Sequence, residues 1–142
     1  MALDKHDFIV LDHTADLGIM VQGSDIENLF ERAAHSMIQL MVNGIPAGKT
    51  KTANLSLDGE DLAELMVLWL GEILYLFQGE KRVVTGIGIG SISPSHLDAT
   101  LETVAFDPNL HEILYEIKAV TYHQIEVTQK HNCWETRVTF DL

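Results

Sequence analysis

Three side chains with the chemistry of acid–base or metal sites lie close together near the start of the sequence: Asp12, His13 and Asp16. At the other end, the Asp141 carboxylate stands next to the α-carboxylate of Leu142. Carboxylates that are held close together are destabilised by mutual repulsion and by loss of hydration unless a positive group lies nearby. Both segments therefore predict a bound cation or a basic partner.

The two aspartates of the first segment offer the oxygen ligands that hard cations prefer. Oxygen-only ligation suits Ca²⁺, with Mn²⁺ and Mg²⁺ as alternatives, better than Zn²⁺. Asp141 and Leu142 join such a site only if the fold brings the two ends of the sequence together. The alternative interpretation, which explains most aspartates in loops, is that Asp12 caps a turn and Asp16 begins a strand.

A small metal-dependent hydrolase would use His13 or His123 as a general base beside a cation at Asp16. Neither histidine stands in a recognised arrangement with a serine or cysteine nucleophile, so both are also explained as ordinary polar residues. Lys118 lies within the apolar run 117–120. It either balances buried carboxylates, contacts an anionic ligand, or extends from a strand edge into solvent.

The sequence is strongly acidic, with 9 Lys and Arg residues, 21 Asp and Glu residues and a net charge of −12. Proteins bind phosphate backbones mainly through Lys and Arg, so strong direct binding to nucleic acid is not expected. The segment Gly86–Gly90 fits neither the GxGxxG nor the GxxxxGKS/T spacing of phosphate loops. We expect its bare face to allow close packing under the second predicted helix. The charge favours a basic protein or a metal ion as partner.

The longest apolar run, residues 62–77, contains Glu64 and Glu72 and is too short to span a membrane. The N-terminal residues lack the apolar segment that is typical of a signal peptide. The single cysteine, Cys133, has no partner for an intrachain disulfide. We therefore expect a cytoplasmic protein that does not associate with a membrane.

Apolar periodicity predicts two main helices, over residues 26–41 and 62–77. A capping box formed by Ser24 and Glu27 opens the first, and Gly79 ends the second. Strands are predicted over residues 8–11, 17–22, 52–57, 83–92, 96–106, 116–123, 124–130 and 134–140. This order predicts the α+β class: a single-domain sandwich of mostly antiparallel strands with two main helices, over residues 1–142.

The last predicted strand has two distinct faces, because side chains alternate along a strand. The residues predicted to share the core-facing stripe are Trp134, Thr136, Val138, Phe140 and Leu142. Asp141 therefore points away from the core at the end of the strand, where its carboxylate is available to a ligand.

Several segments resemble the archease family and follow one another in the family's order along most of the chain. They are Leu11–Gly18 (LDHTADLG), Ile26–Ala33 (IENLFERA), Asp61–Trp69 (DLAELMVLW) with Glu72–Phe77 (EILYLF), Glu116–Val127 (EIKAVTYHQIEV) and Val138–Leu142 (VTFDL). The first and the Glu116–Val127 segment are the specific ones. Residues 83–106 carry no signature of the family.

The resemblance implies an archease-like α+β protein that serves as a non-catalytic cofactor of the RtcB-type RNA ligase. That ligase joins tRNA halves after intron removal, and archeases promote its guanylylation with GTP and Mn²⁺, speed its turnover and broaden its nucleotide choice. Carried over by position, the metal ligands of the family are Asp16, Asp141 and the terminal group of Leu142. The residues implied around the site in a supporting role are Asp12, His13, Lys118 and His123.

A third interpretation is a chaperone-like or scaffolding module that binds other proteins. Such a module needs an exposed apolar patch of several hundred Å². The sequence shows amphipathic strands without an obvious surplus of surface apolar residues, so this interpretation depends on the surface of the folded protein.

Overall fold

The computed structural model describes residues 8–12, without the Asp12 side chain, and residues 16–142. These residues form two α-helices and nine β-strands, which follow one another along the chain. They are β1 (Phe8–Asp12), β2 (Asp16–Gly23), α1 (Ile26–Met41), β3 (Val42–Gly44), β4 (Lys51–Asp58), α2 (Leu62–Gln78), β5 (Arg82–Ser93), β6 (His96–Ala105), β7 (His111–Ile113), β8 (Ala119–Gln129) and β9 (Trp134–Asp141). The predicted α+β class with two main helices is confirmed.

The described strands pair antiparallel in three sheets. The largest has the order β1-β2-β9-β8, the second β4-β6-β5, and β3 pairs with β7 alone. Both helices pack against strands of the two larger sheets. Buried apolar side chains from the helices and from both larger sheets form one hydrophobic core. The first sheet matters most here, because it pairs the beginning of β2 with the end of β9.

Helix α1 does not begin with the predicted capping box. Its N-cap is Asp25, whose Oδ1 accepts a hydrogen bond from the Asn28 N–H at 2.8 Å. The Asn28 side chain in turn accepts a hydrogen bond from the Ser24 N–H at 2.9 Å. The prediction for Ser24 and Glu27 was therefore wrong by one residue, because Asp25 is as good an N-cap as Ser24 and Asn28 supplies the reciprocal bond.

Helix α2 is buried on nearly all sides, as its sequence predicts. At its centre Trp69 is fully buried, and its indole Nε1–H donates a hydrogen bond to the Phe30 carbonyl of α1 at 2.9 Å. The helix begins at the N-cap Asp61 and ends at the C-cap Gly79, in agreement with the prediction. Trp69 thus joins the two helices inside the core.

Neither helix within the described ranges combines the length and the apolar content that crossing a membrane requires.

Two features of the strands differ from the predictions. Residues 119–129 form the single strand β8, where two strands were predicted, and residues 116–118 lie outside it. The register of β8 against β9 shifts between Thr121 and Glu126. An extended bulge therefore lies where a break between two strands was expected. The short pair β3–β7 was not predicted, since strands of three residues are too short to show alternation.

The glycine-alternating part of β5 is also oriented differently from the prediction. Gly88 and Gly90 are exposed, whereas Ile87 and Ile89 between them pack against the core. The bare face therefore points to solvent and not under α2. The isoleucines take the inward face because burial of their side chains stabilises the fold, while glycine gains nothing from burial.

The solvent-exposed end of the second sheet holds an imidazole between two carboxylates. His96 Nδ1 lies 2.7 Å from Asp58 Oδ1, and Nε2 lies 3.0 Å from Asp98 Oδ1. The hydrogen bond to Asp58 and the one to Asp98 raise the pKa of His96. Because the folded-state pKa is raised, the stabilisation is complete below the ordinary histidine pKa and is lost as the pH rises through the raised value.

We expect the substitution Asp58→Asn to lower the pKa of His96 toward its ordinary value, since the first of its two carboxylate partners loses its charge. The pH titration of the His96 ring protons by NMR measures this in wild type and variant. A titration midpoint that is the same in both proteins would contradict the prediction.

Candidate functional site

The predicted metal ligands Asp16 and Asp141 meet at one end of the first sheet. Asp16 begins β2, Asp141 ends β9, and the two are direct partners in the antiparallel register. Directly opposed residues point to the same face, with Cβ atoms about 5 Å apart. The structure thus brings together two carboxylates that stand at opposite ends of the sequence.

The Asp16 side chain gives the most direct indication that a ligand binds at this end of the sheet. Its Oδ1 atom is buried and has no hydrogen-bond partner in the described part of the chain. A buried polar atom without a partner costs about 1–3 kcal/mol, and more when it is charged. Like charges on directly opposed strand positions are also destabilising. A cation between Asp16 and Asp141 would remove both penalties, so these residues fit a bound metal.

Leu142 continues the alternation of β9. Phe140 is fully buried, Asp141 is exposed, and the Leu142 side chain packs against the core. Its side chain is therefore turned inward, away from the exposed Asp141 side chain. Among the described residues no three His, Cys, Asp or Glu side chains form a metal-binding group. The resemblance to archeases implies the Leu142 carboxyl group as a further ligand beside the two aspartates.

Lys118 contacts this end of the sheet through its main chain. Its N–H donates a hydrogen bond to the Asp141 carbonyl at 2.7 Å, directly before the pairing of Ala119 with Asp141. The Lys118 side chain is exposed, and it forms no ion pair with any described residue. Lys118 therefore fixes the Asp141 backbone in this structure, while its charge faces solvent.

His123 lies elsewhere on the same sheet, in the bulge of β8. The bulge spans residues 122–125, which stand opposite the single residue Val138 of β9. Gln124 adopts the left-handed backbone conformation with φ 54°, and the His123 N–H donates to Thr121 Oγ1 at 3.3 Å. His123 is exposed, and among the described residues it forms no metal-binding group with the two aspartates. The remaining predicted residues, His13 and the Asp12 side chain, lie outside the described residues.

Two other histidines line a cavity of about 240 Å³ beside α1 and β3. Burial lowers the pKa of His35. His111 accepts a hydrogen bond from the Asp107 N–H at its Nδ1, at 2.9 Å, while its Nε2 lies 2.8 Å from the Ile45 carbonyl. Both ring nitrogens of His111 are therefore occupied by main-chain groups, and the ring holds the loop before β7 in place.

Sequence reasoning missed one residue near the paired aspartates, the last residue of α2. Gln78 donates from Nε2 to the Ile117 carbonyl at 2.6 Å and lies 3.4 Å from the Lys118 carbonyl. A single glutamine at the end of an apolar helix carries no signal for such a role. Its partners are main-chain atoms, which no residue pattern specifies.

A sequence model of the Archease protein family (MTH1598/TM1083) matches residues 8–142. The chain belongs to the archease family. The archease of Methanosarcina acetivorans is 32% identical over 137 residues, which cover 93% of each chain. The archease of Sulfurisphaera tokodaii is 30% identical over 139 residues, which cover 95% of this chain and 98% of its own.

Solved structures show the same archease fold. Protein 1598 of Methanobacterium thermoautotrophicum, solved in solution, has a TM-score of 0.73 at 27% identity and covers 96% of this chain and 99% of its own. The crystal structure of an archease and possible chaperone from Thermotoga maritima has a TM-score of 0.65 at 20% identity, with 93% and 94% covered. At that identity the second likeness concerns the fold alone. The resemblance noted in the sequence is confirmed at the level of the family and its fold.

Proposed function

We propose that this archease is a non-catalytic protein cofactor of an RtcB-type RNA ligase, and that it promotes the guanylylation of the ligase with GTP and its multiple turnover. Membership of the archease family supports the partner. The net charge of −12 favours a basic protein surface over direct contact with RNA. The connection to RNA then passes through the ligase.

The site that we propose for this function is a divalent metal site formed by Asp16, Asp141 and the carboxyl group of Leu142. The observation that carries it is the buried, unpartnered Oδ1 of Asp16 directly opposite Asp141. An all-oxygen ligand set favours Ca²⁺, Mn²⁺ or Mg²⁺. When bound, the cation would supply a positive charge at this end of the sheet.

The chain's own residues would set the position of that charge. Asp16 and Asp141 are held on two adjacent strands, and the Lys118 N–H fixes the Asp141 carbonyl. Because rigid strands hold the ligands more precisely than loops do, the site is suited to act at a fixed geometry on a partner surface. We propose that this end of the first sheet approaches the nucleotide pocket of the ligase.

A multiple-turnover RNA-joining assay with an RtcB-type ligase, GTP and Mn²⁺ tests the function. We expect the wild-type protein to raise the turnover of the ligase. The substitution Asp141→Asn should reduce this stimulation by about tenfold or more, and the control Glu112→Gln should retain it. Glu112 is an exposed acid on β7, in a different sheet. Variants are preferable to chelators here because the assay itself contains Mn²⁺.

Two outcomes of this assay would contradict different parts of the proposal. Failure of the wild-type protein to stimulate a cognate ligase would contradict the cofactor function. Full stimulation by Asp141→Asn would leave the ligase as partner and remove the metal site from the mechanism.

One observation favours the chaperone-like interpretation as a second candidate. Ile113, Leu114 and Tyr115 are consecutive and each is 44–50% exposed, and exposed apolar clusters serve as contact sites for other proteins. This function predicts that the protein suppresses aggregation of unrelated unfolded proteins without added metal, and that Leu114→Ser weakens the effect. Light scattering of a heated client protein measures it, and no suppression at equimolar concentration would exclude this candidate.

A further inference from the structure

The chain between β7 and β8, residues 114–118, lies outside the sheets and is held by hydrogen bonds to other elements. The Leu114 N–H donates to Met41 O at 2.8 Å, and the Tyr115 N–H donates to Leu40 O at 3.0 Å, both at the end of α1. At its other end, the Lys118 N–H donates to Asp141 O at 2.7 Å. This segment therefore joins the end of α1 to the end of β9.

The side chain of Gln78 holds the same segment from α2. Its Nε2 donates to the Ile117 carbonyl at 2.6 Å and lies 3.4 Å from the Lys118 carbonyl. An amide nitrogen carries two protons, so one glutamine can serve both carbonyls. Ile117 itself is 2% exposed, with its side chain in the core. Gln78 thus connects α2 to the two residues that immediately precede β8.

The position of Gln78 is itself fixed. It is the last residue of α2, and the Gly79 N–H caps the helix by donating to the Tyr75 carbonyl at 2.7 Å. A Cβ atom at Gly79 would lie 2.7 Å from the Tyr75 ring, so the chain leaves the helix in close contact with that ring. The amide of Gln78 therefore projects from a well-defined point of the backbone.

We propose that Gln78 is a positioning residue for the paired aspartates. By holding the Ile117 and Lys118 carbonyls, its amide keeps the Lys118 N–H aimed at the Asp141 carbonyl and so keeps Asp141 in register with Asp16. This inference rests on the metal site proposed above. It adds a third element, α2, to a site whose ligands come from β2 and β9.

Calcium binding by isothermal titration calorimetry tests the proposal on three variants. Gln78→Met keeps the length of the side chain and removes its N–H donors, and we expect about tenfold weaker binding. Gln129→Met is the matched control, an exposed glutamine at the end of β8 that has no side-chain hydrogen bond within the described residues. It should bind calcium like wild type.

Gln78→Glu separates positioning from simple electrostatics. A carboxylate near the site attracts a cation through space, which by itself would tighten binding. The same substitution removes the N–H donors and places negative oxygens against two carbonyls, so positioning predicts weaker binding. Amide hydrogen exchange of Lys118 adds a readout that needs no metal, and we expect faster exchange in both Gln78 variants than in wild type.

Tighter calcium binding by Gln78→Glu, or an unchanged calcium affinity or unchanged Lys118 exchange in Gln78→Met, would overturn the positioning role. The variant Asp16→Asn, measured in the same titration, distinguishes an error in the role of Gln78 from an error in the proposed metal site. If Asp16→Asn binds calcium like wild type, the proposed metal site is wrong. If Asp16→Asn abolishes binding and Gln78→Met does not weaken it, only the role of Gln78 is wrong.

Discussion

Replacing Asp16 with asparagine is expected to raise the unfolding temperature of the protein in calcium-free buffer and to lower it, relative to wild type, when calcium is present. Without metal, the substitution removes one of two like charges on directly opposed strand positions, Asp16 and Asp141. Removing the repulsion between two such charges stabilises the folded protein by about 0.2–1 kcal/mol. The asparagine amide also offers Asp141 a hydrogen-bond donor, which the carboxylate does not.

When calcium is present, the order of the two unfolding temperatures reverses, because a ligand that binds only the folded state stabilises that state. Calcium at a hundred times its dissociation constant would stabilise wild type by about 2.7 kcal/mol. For a chain of 142 residues, this corresponds to a rise of roughly 10 °C in unfolding temperature. Asp16→Asn should gain little, since it loses a charged ligand.

Thermal unfolding followed by circular dichroism, in EDTA and in excess calcium, measures this reversal. Parallel series with Mn²⁺ and Mg²⁺ extend the test to the other cations that oxygen ligands favour. Glu112→Gln serves as control, because it removes the same charge from an exposed position on β7. An equal gain from metal in wild type and in Asp16→Asn would show that the cation binds elsewhere.

The second large effect concerns the core, where we expect Trp69→Ala to lower the free energy of unfolding by about 3–5 kcal/mol. The side chain is fully buried, and it is also bonded to the Phe30 carbonyl. Its removal opens a cavity between the two helices and deletes their shared hydrogen bond. Domains of this kind are stable by about 5–15 kcal/mol in total, so the loss is a large share of the stability.

Urea unfolding followed by circular dichroism measures the loss, since the substitution removes a fluorophore. Trp134→Ala is the internal comparison, because Trp134 is only partly buried at the start of β9. We expect it to cost no more than about 2 kcal/mol. Equal losses at both positions would mean that Trp69 does not join the helices as described.

The helices and strands that were predicted correctly are those with a long periodic pattern of apolar residues. Helix α2 is apolar over most of its 17 residues, which only a buried helix explains. The face of β9 that carries Val138 and Phe140 is buried, as their alternation with polar residues predicts. In both cases hydrophobic burial alone decides the structure, and burial leaves a periodic signal in the sequence.

The wrong predictions concern positions where two local structures have similar energies or where the sequence contains no pattern. Ser24 and Asp25 are both good N-caps, and the choice between them depends on the Asn28 side chain. The bulge in β8 contains Gln124 at positive φ, a conformation that the sequence would signal only through glycine or asparagine. Nothing in the composition of residues 122–125 predicts that the strand continues beyond them.

The candidate site was accessible from the sequence in part. The clustering of charge indicated two groups in need of a positive partner, one at Asp16 and one at Asp141 with Leu142, and the resemblance to archeases joined the two groups in one site. Their direct opposition in the β2–β9 register depends on pairing between distant strands, which local patterns do not contain. The contribution of Gln78 depends on main-chain carbonyls and was accessible only from the structure.

The pairing of β2 with β9 also bears on how the protein folds. Gln22 and Glu135, which are hydrogen-bonded across this pair, are 113 residues apart in the sequence. Closing so long a loop has a high entropic cost, whereas the β5–β6 hairpin forms from local contacts. We therefore expect the two aspartates to meet late, after the transition state for folding. A cation bound between them would then slow unfolding and leave the folding rate nearly unchanged.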